Sequence, residues 1–84
     1  MKIKLSKNAQ KHYQYWIDND RKILKRINEL LKETQNSPYD GKGKPEALKF
    51  NLTGFWSRRI NHEHRLVYKI ENDVIYVVQC RYHY

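Results

Sequence analysis

Seven side chains in this 84-residue sequence have types that could do chemistry: Glu46, Lys49, Arg59, Arg65, Arg81, His83 and Tyr84. Together they supply the parts for breaking a ribose phosphodiester by acid–base chemistry. Such a reaction needs a base to take the 2′-OH proton, an acid to protonate the departing 5′-oxygen, and cations around the phosphorus. Glu46 follows a basic loop and lies near Lys49, which makes it the candidate base. His83 belongs to the residue type that exchanges its proton near neutral pH and is the candidate acid. Arg59, Arg65, Arg81 and Lys49 are the candidate charge stabilisers, and Tyr84 would position a base or assist the proton transfer. Each has a plainer reading, because a Glu after Lys-Pro is commonly solvated and a His beside a chain end commonly sits in a loose tail. His62 and His64 flank Glu63, but that short cluster has no spaced third ligand, so neither a metal nor another cofactor is expected. Cys80 reads as a small buried hydrophobe.

These groups act together only if strands place them on one face. Trp56 to Ile60, His64 to Ile70 and Val74 to Tyr82 read as three strands joined by turns at 61–63 and 71–73. A hairpin centred on His62 sets Arg59 opposite Arg65, where like charges repel and call for an anion, either a phosphate or a carboxylate such as Glu46 or Glu63. A second hairpin, centred on Asn72, sets Leu66 opposite Val78, Tyr68 opposite Tyr76 and Arg65 opposite Gln79. Arg81 and His83 then follow on the arginine side. In that register Ile75 and Val77 fall on the polar face, where a partner or a second copy would cover them.

The first half builds the support. Lys2 to Leu5 alternates as a short strand, and Ser6 can cap a helix carrying Ala9, Tyr13, Trp16 and Ile17 on one stripe, ending near Asn19. Asp20 caps a second helix with Ile23, Ile27, Leu30 and Leu31 inward. Arg21, Lys22, Lys25, Arg26 and Lys32 occupy its outer surface. Residues 36–45 break the helical period and form a loop in which Lys42 and Lys44 alternate with glycines, read as a flexible basic lip without P-loop spacing. The expected fold class is therefore α+β: a small antiparallel β-sheet with an N-terminal αα-hairpin packed on one face, in a single domain over residues 1–84.

Composition bounds the partners. Seventeen Lys and Arg against nine Asp and Glu give a net charge of +8, which favours a polyanionic partner. Residues 1–37 are Lys-rich at net +5, and residues 38–84, at net +3, gather Arg with Trp56, Tyr68, Tyr82 and Tyr84. Arg58 belongs to that basic and aromatic mixture, which is suited to single-stranded RNA. Twenty Leu, Ile, Val and Phe in 84 residues argue against disorder. The longest apolar run, Val74 to Val78, excludes a membrane span. The N-terminus does not open like a signal peptide, and one Cys excludes a disulfide framework, so a reduced, cytoplasmic protein is expected.

The strings Gly41-Lys42-Gly43-Lys44-Pro45-Glu46, Gly54-Phe55-Trp56-Ser57-Arg58-Arg59-Ile60, Glu63-His64-Arg65-Leu66-Val67-Tyr68 and Cys80-Arg81-Tyr82-His83-Tyr84 closely resemble the YoeB toxins of the RelE superfamily. The resemblance runs over essentially the whole chain, and its most specific part is the terminal Arg-Tyr-His-Tyr. It implies a toxin of a type II toxin-antitoxin system, an endoribonuclease that cuts mRNA at the ribosomal A site and arrests translation. It also implies a YefM-type antitoxin as partner, operator DNA bound only by the toxin-antitoxin complex, and a possible homodimer. By the resemblance the base falls on Glu46, the acid on His83 and the transition-state arginine on Arg65. Lys49, Arg59 and Tyr84 support them, and Arg21, Lys22, Lys25, Arg26, Lys42 and Lys44 form a basic surface toward ribosomal RNA. Ala47 and Phe50 depart from the family pattern beside the site. Two other readings remain at the level of sequence: a gyrase-poisoning toxin of the same superfold, and a non-catalytic RNA- or ribosome-binding protein.

Overall fold

A computed structural model describes residues 1–83. The chain runs β1 (Lys2–Leu5), α1 (Lys7–Asn19), α2 (Arg21–Asn36), β2 (Glu46–Ala47), a 3-10 turn (Phe50–Leu52), β3 (Trp56–Arg59), β4 (Arg65–Glu71) and β5 (Val74–Gln79).

Both helix starts are made by the residues expected to make them. The Ser6 hydroxyl accepts the Ala9 N–H at 3.0 Å, satisfying one donor that the first turn leaves unpaired. Asp20 serves two helices. Its N–H closes α1 on the Trp16 carbonyl at 2.9 Å, and its carboxylate accepts the N–H groups of Lys22 and Ile23 at the start of α2. One residue thus sets the tight corner of the αα-hairpin.

The five strands lie in the order β1-β5-β4-β3-β2. The helices cover one face of this sheet. Ala9, Trp16, Ile27, Leu30 and Leu31 pack there against Ile60, Leu66, Tyr68, Ile75, Val77 and Cys80. The sheet is mixed and not wholly antiparallel, because β1 pairs parallel with β5, Ile3 beside Ile75 and Leu5 beside Val77. Strand pairing across 72 residues of separation carries no signal in the local pattern, which is why β1 alone could not be oriented from sequence.

The β3–β4 register is the expected one, with Arg59 opposite Arg65. The β4–β5 register is not. Ile70 pairs with Ile75 and Lys69 with Tyr76, one residue away from the expected frame. Asn72 and Asp73 both take left-handed backbone, φ 50° and 62°, so the loop has two residues and not three. That is the twist a right-handed ribbon favours, and Asn and Asp tolerate it better than most residues. A one-residue slip exchanges the faces of a strand. Ile75 and Val77 are consequently in the core, 0% and 1% exposed, and no partner is needed to cover them. Between Val67 and Tyr68 the register shifts again, so that Val67 faces Gln79 and Val78 is skipped. The strand ends at Gln79, short of the expected Tyr82.

The 36–45 loop is pinned to the sheet, contrary to the flexible lip expected. Arg58 is fully buried, and its guanidinium donates to the carbonyls of Ser37 and Lys42 and to the Tyr68 hydroxyl. Tyr68 in turn donates to the Pro38 carbonyl at 2.7 Å. Arg58 therefore leaves the basic and aromatic surface to which its type assigned it and becomes the internal bracket of the loop. Gly43, at φ +83°, accepts the Arg59 N–H, and a Cβ there would come within 3.0 Å of Arg58 Cβ and Leu30 Cδ2. The chain arrives at β2 from a fixed direction.

Candidate active site

Cross-strand partners share a face, so pairing places the candidate groups. Glu46 is opposite Ser57, Ser57 opposite Val67, and Val67 opposite Gln79. This row crosses the sheet on the side away from the helices. Arg59 and Arg65 stand two residues along β3 and β4 from it, on the same side. At ordinary strand spacing Glu46 is about 10 Å from β4, close enough for a carboxylate and a guanidinium to approach one phosphodiester from two directions.

The two arginines are held differently. Arg59 is exposed, whereas Arg65 is only 9% exposed, its Nη1 donating to the Asn61 carbonyl at 2.6 Å and the His64 carbonyl at 3.1 Å. Among the described residues these bonds use Nη1 alone, so the guanidinium keeps donors for an anion. The repulsion of the pair is thus managed by anchoring one member and leaving the other in water. Arg26 reaches from α2 to the carbonyls of Arg59 and Ile60, both at 3.2 Å, and fixes the backbone under Arg59. It belongs to this bracket more than to the outer basic surface.

Glu46 is exposed on the short edge strand β2. The chain then turns back through the Leu48 N–H bond to the Phe55 carbonyl, and a concavity of about 380 Å³ lined by residues 46–52 opens beside it. Lys49 is exposed on this wall. Phe50 is 90% exposed and holds φ +59°, a conformation that costs a bulky residue energy and is tolerated where the surroundings fix it. Lys42, Lys44, Arg21, Lys22, Lys25 and Lys32 are exposed as expected for a basic surface.

The carboxyl-terminal segment is ordered by an array of bonds, not left as a loose tail. The Trp16 indole donates to the Cys80 carbonyl at 2.8 Å, the Cys80 N–H to His12 Nδ1 at 3.2 Å, and the Tyr82 N–H to His64 Nδ1 at 2.8 Å. The Arg65 N–H donates to the Tyr82 carbonyl at 2.9 Å. The peptide that leads into His83 is therefore bonded directly to the Arg65 backbone. His83 is exposed, and Tyr84 lies outside the described residues. Arg81 departs from expectation. Its guanidinium lies 3.4 Å from the centroid of the Tyr15 ring, on the α1 side, so it does not join Arg59 and Arg65. The expected shared face required β5 to continue through Arg81, and the strand ends at Gln79.

Burial pushes the Cys80 thiol up to about 12, as befits an inert core group. Burial also lowers His12 and His64 below their ordinary value; the Arg81 charge reinforces this at both, and at His64 Glu63 partly opposes it. Residue type points to His64 only as a metal ligand within the His62–His64 cluster, and it does not single out His12. The spacing of Ala9, His12 and Trp16 was the available signal, since it sets His12 on the buried stripe of α1.

The sequence matches the model of the YoeB-like toxin of bacterial type II toxin-antitoxin systems over residues 5–84. The chain belongs to this family. It is 54% identical to the toxin YoeB of Escherichia coli strain K12 over all 84 residues of both chains. The fold superposes on a YoeB/ParE toxin from Agrobacterium tumefaciens with TM-score 0.98 at 38% identity, covering both chains completely. It also matches YoeB of Staphylococcus aureus, solved as a dimer and in a heterotetrameric complex with the antitoxin YefM, with TM-score 0.93 at 50% identity, over 100% of this chain and 98% of that one. The chain is thus a toxin of the YoeB family, with the two helices and mixed sheet of its structural relatives.

Proposed function

We propose that this toxin is an endoribonuclease that cleaves mRNA on the ribosome. The observation that carries the reading is the placement of Glu46, Arg59 and Arg65 on the sheet face away from the helices, with the peptide leading into His83 bonded to Arg65. Glu46 takes the proton of the 2′-OH, O2′ bonds to phosphorus, the P–O5′ bond breaks, and His83 gives its proton to O5′. Arg65 and Arg59 neutralise the charge that builds on the phosphoryl oxygens, with Lys49 at the wall of the concavity. Tyr84 positions a base or assists the proton transfer, and Arg81 supports the segment by stacking on α1. The exposed lysines with Arg21 hold ribosomal RNA without regard to sequence.

This chemistry leaves a 2′,3′-cyclic phosphate and a 5′-OH. End-group analysis of RNA cut on programmed ribosomes checks it, and a substrate with 2′-deoxyribose at the scissile position is expected to survive. Cleavage of that deoxy substrate would falsify the mechanism. His83→Gln is expected to cost about 10² to 10⁴ in rate with stability unchanged. On induction, truncated messages are the expected signature. DNA breaks would indicate gyrase poisoning, and arrest without cleavage would indicate a binding protein.

A YefM-type antitoxin is the proposed partner, since the S. aureus relative is seen with one, and operator DNA would be bound by that complex. A homodimer is proposed on the same ground. The charge of +8 suits an acidic wrapping segment as well as RNA.

A further inference from the structure

Resting on this reading of His83, we propose that His12 and His64 are positioning residues: a pair of neutral imidazoles whose Nδ1 atoms hold the Cys80 and Tyr82 N–H groups and so aim His83 at the phosphodiester. Neither carries a role in the acid–base chemistry above.

The segment after β5 needs such a device. Tyr82 sits at φ +68°, a backbone conformation that a Tyr avoids unless its surroundings impose it. Here both ends of the residue are held. Its N–H goes to His64 Nδ1 at 2.8 Å, and its carbonyl accepts from the Arg65 N–H at 2.9 Å and from Gln79 Nε2 at 3.2 Å. Two residues earlier the Cys80 N–H goes to His12 Nδ1 at 3.2 Å while the Trp16 indole holds the Cys80 carbonyl. The rings themselves pack the turn. Tyr82 lies edge-on to His12 at 5.6 Å between centroids and tilted to His64 at 6.4 Å, and His64 is edge-on to Trp16 at 4.8 Å. One imidazole comes from α1 and the other from the residue just before β4, so the segment is clamped between the helical layer and the sheet.

An imidazole that accepts at Nδ1 carries its proton on Nε2. Adding a second proton turns Nδ1 into a donor facing a donor, and the bond to the backbone is lost. The charged groups facing the pair are few. Arg81 opposes protonation of both imidazoles, and Glu63, whose Oε2 is 4.0 Å from His64 Nε2, favours it at His64. Tyr82 packs its ring against both imidazoles, Cys80 adjoins His12, and the Arg65 guanidinium adjoins His64 through its bond to the His64 carbonyl. Protonation therefore releases Cys80 and Tyr82 and brings two new cations beside Arg81. The toxin is active while both rings are neutral and loses the aim of His83 as pH falls.

The test compares the full-length toxin with His12→Ala/His64→Ala and His12→Asn/His64→Asn, because the Asn amide oxygen reaches the place of Nδ1 and does not titrate there. Hydrogen exchange, corrected for intrinsic rates, should show Cys80 and Tyr82 amides protected in the wild type at pH 7.5, unprotected in the alanine pair and protected again in the asparagine pair. Single-turnover cleavage on programmed ribosomes should fall about 10²-fold in the alanine pair, mostly in the rate constant and not in affinity. The asparagine pair should recover most of that loss and show a flatter acid limb between pH 7.5 and 5.5. Long-range nitrogen–proton NMR of the wild type should show both rings protonated on Nε2, and this needs no variant to fold. Amide protection unchanged in the alanine pair, or Nδ1-protonated rings, overturns the clamp whatever happens to RNA. Protection that follows the imidazoles in a toxin that cleaves nothing supports the clamp and overturns the ribonuclease reading.

Discussion

At the residue scale, identical residue types serve opposite ends. Arg65 and Arg58 are both buried arginines on adjacent strands, one residue pair apart in the β3–β4 ladder. Arg65 spends Nη1 on loop carbonyls, on the face away from the helices, whereas Arg58 spreads Nε, Nη1 and Nη2 over three oxygens on the helix side. A planar fork spreads its donors to three separated acceptors, which the compact ammonium of a lysine does not reach together. Arg58→Met is therefore expected to cost about 2 to 4 kcal/mol, because it strands the buried Tyr68 hydroxyl and the part-buried Ser37 and Lys42 carbonyls. Urea titration measures this, and Arg58→Lys should recover little of it. At Cys80 the buried, uncharged thiol should resist Ellman's reagent at pH 8 until the protein is unfolded. Prompt native reactivity would show that the segment around it opens.

At the element scale, short-range chemistry was legible and hairpin register was not. Ser6 and Asp20 could be read as caps because the capping geometry uses residues within three positions of each other. Asp20→Ala removes the acceptor for two N–H groups of α2, and it is expected to cost about 1 kcal/mol, or about 4 to 8 °C in Tm by calorimetry. The β3–β4 hairpin was legible because Arg59 opposite Arg65 follows from its turn length. At β4–β5, Asn72-Asp73 admits either a two- or a three-residue loop, and only the burial of Ile75 and Val77 against the helices selects the former. Ile75→Asp now tests the register. It buries a carboxylate in the core and is expected to abolish cooperative folding in circular dichroism melts, whereas on an open face it would be nearly neutral.

At the scale of the whole molecule, the helices and the open face are coupled through the carboxyl-terminal segment. The core made by α1 also supplies Trp16 and His12 to that segment. Stability should follow. His12 and His64 are both held below 6.5 in the folded state, so the unfolded chain binds more protons as pH drops through that value. The contribution is complete above about pH 6.5 and lost progressively below it. Urea midpoints are expected to fall between pH 7 and pH 5 and to fall less in His12→Asn/His64→Asn.

The sequence by itself determined the two capped helices, the strand-rich second half, the apolar stripes, the positive charge and the set of groups fit for phosphodiester chemistry, because each depends on residue type and on spacings of four or fewer. Only the tertiary structure decided that β1 runs parallel to β5, that Arg58 and Arg81 leave the open face, and that His12 and His64 hold the segment leading into His83. Those outcomes depend on which buried donors and acceptors must find partners once the layers close. That condition joins residues up to 72 positions apart, and no local pattern carries it.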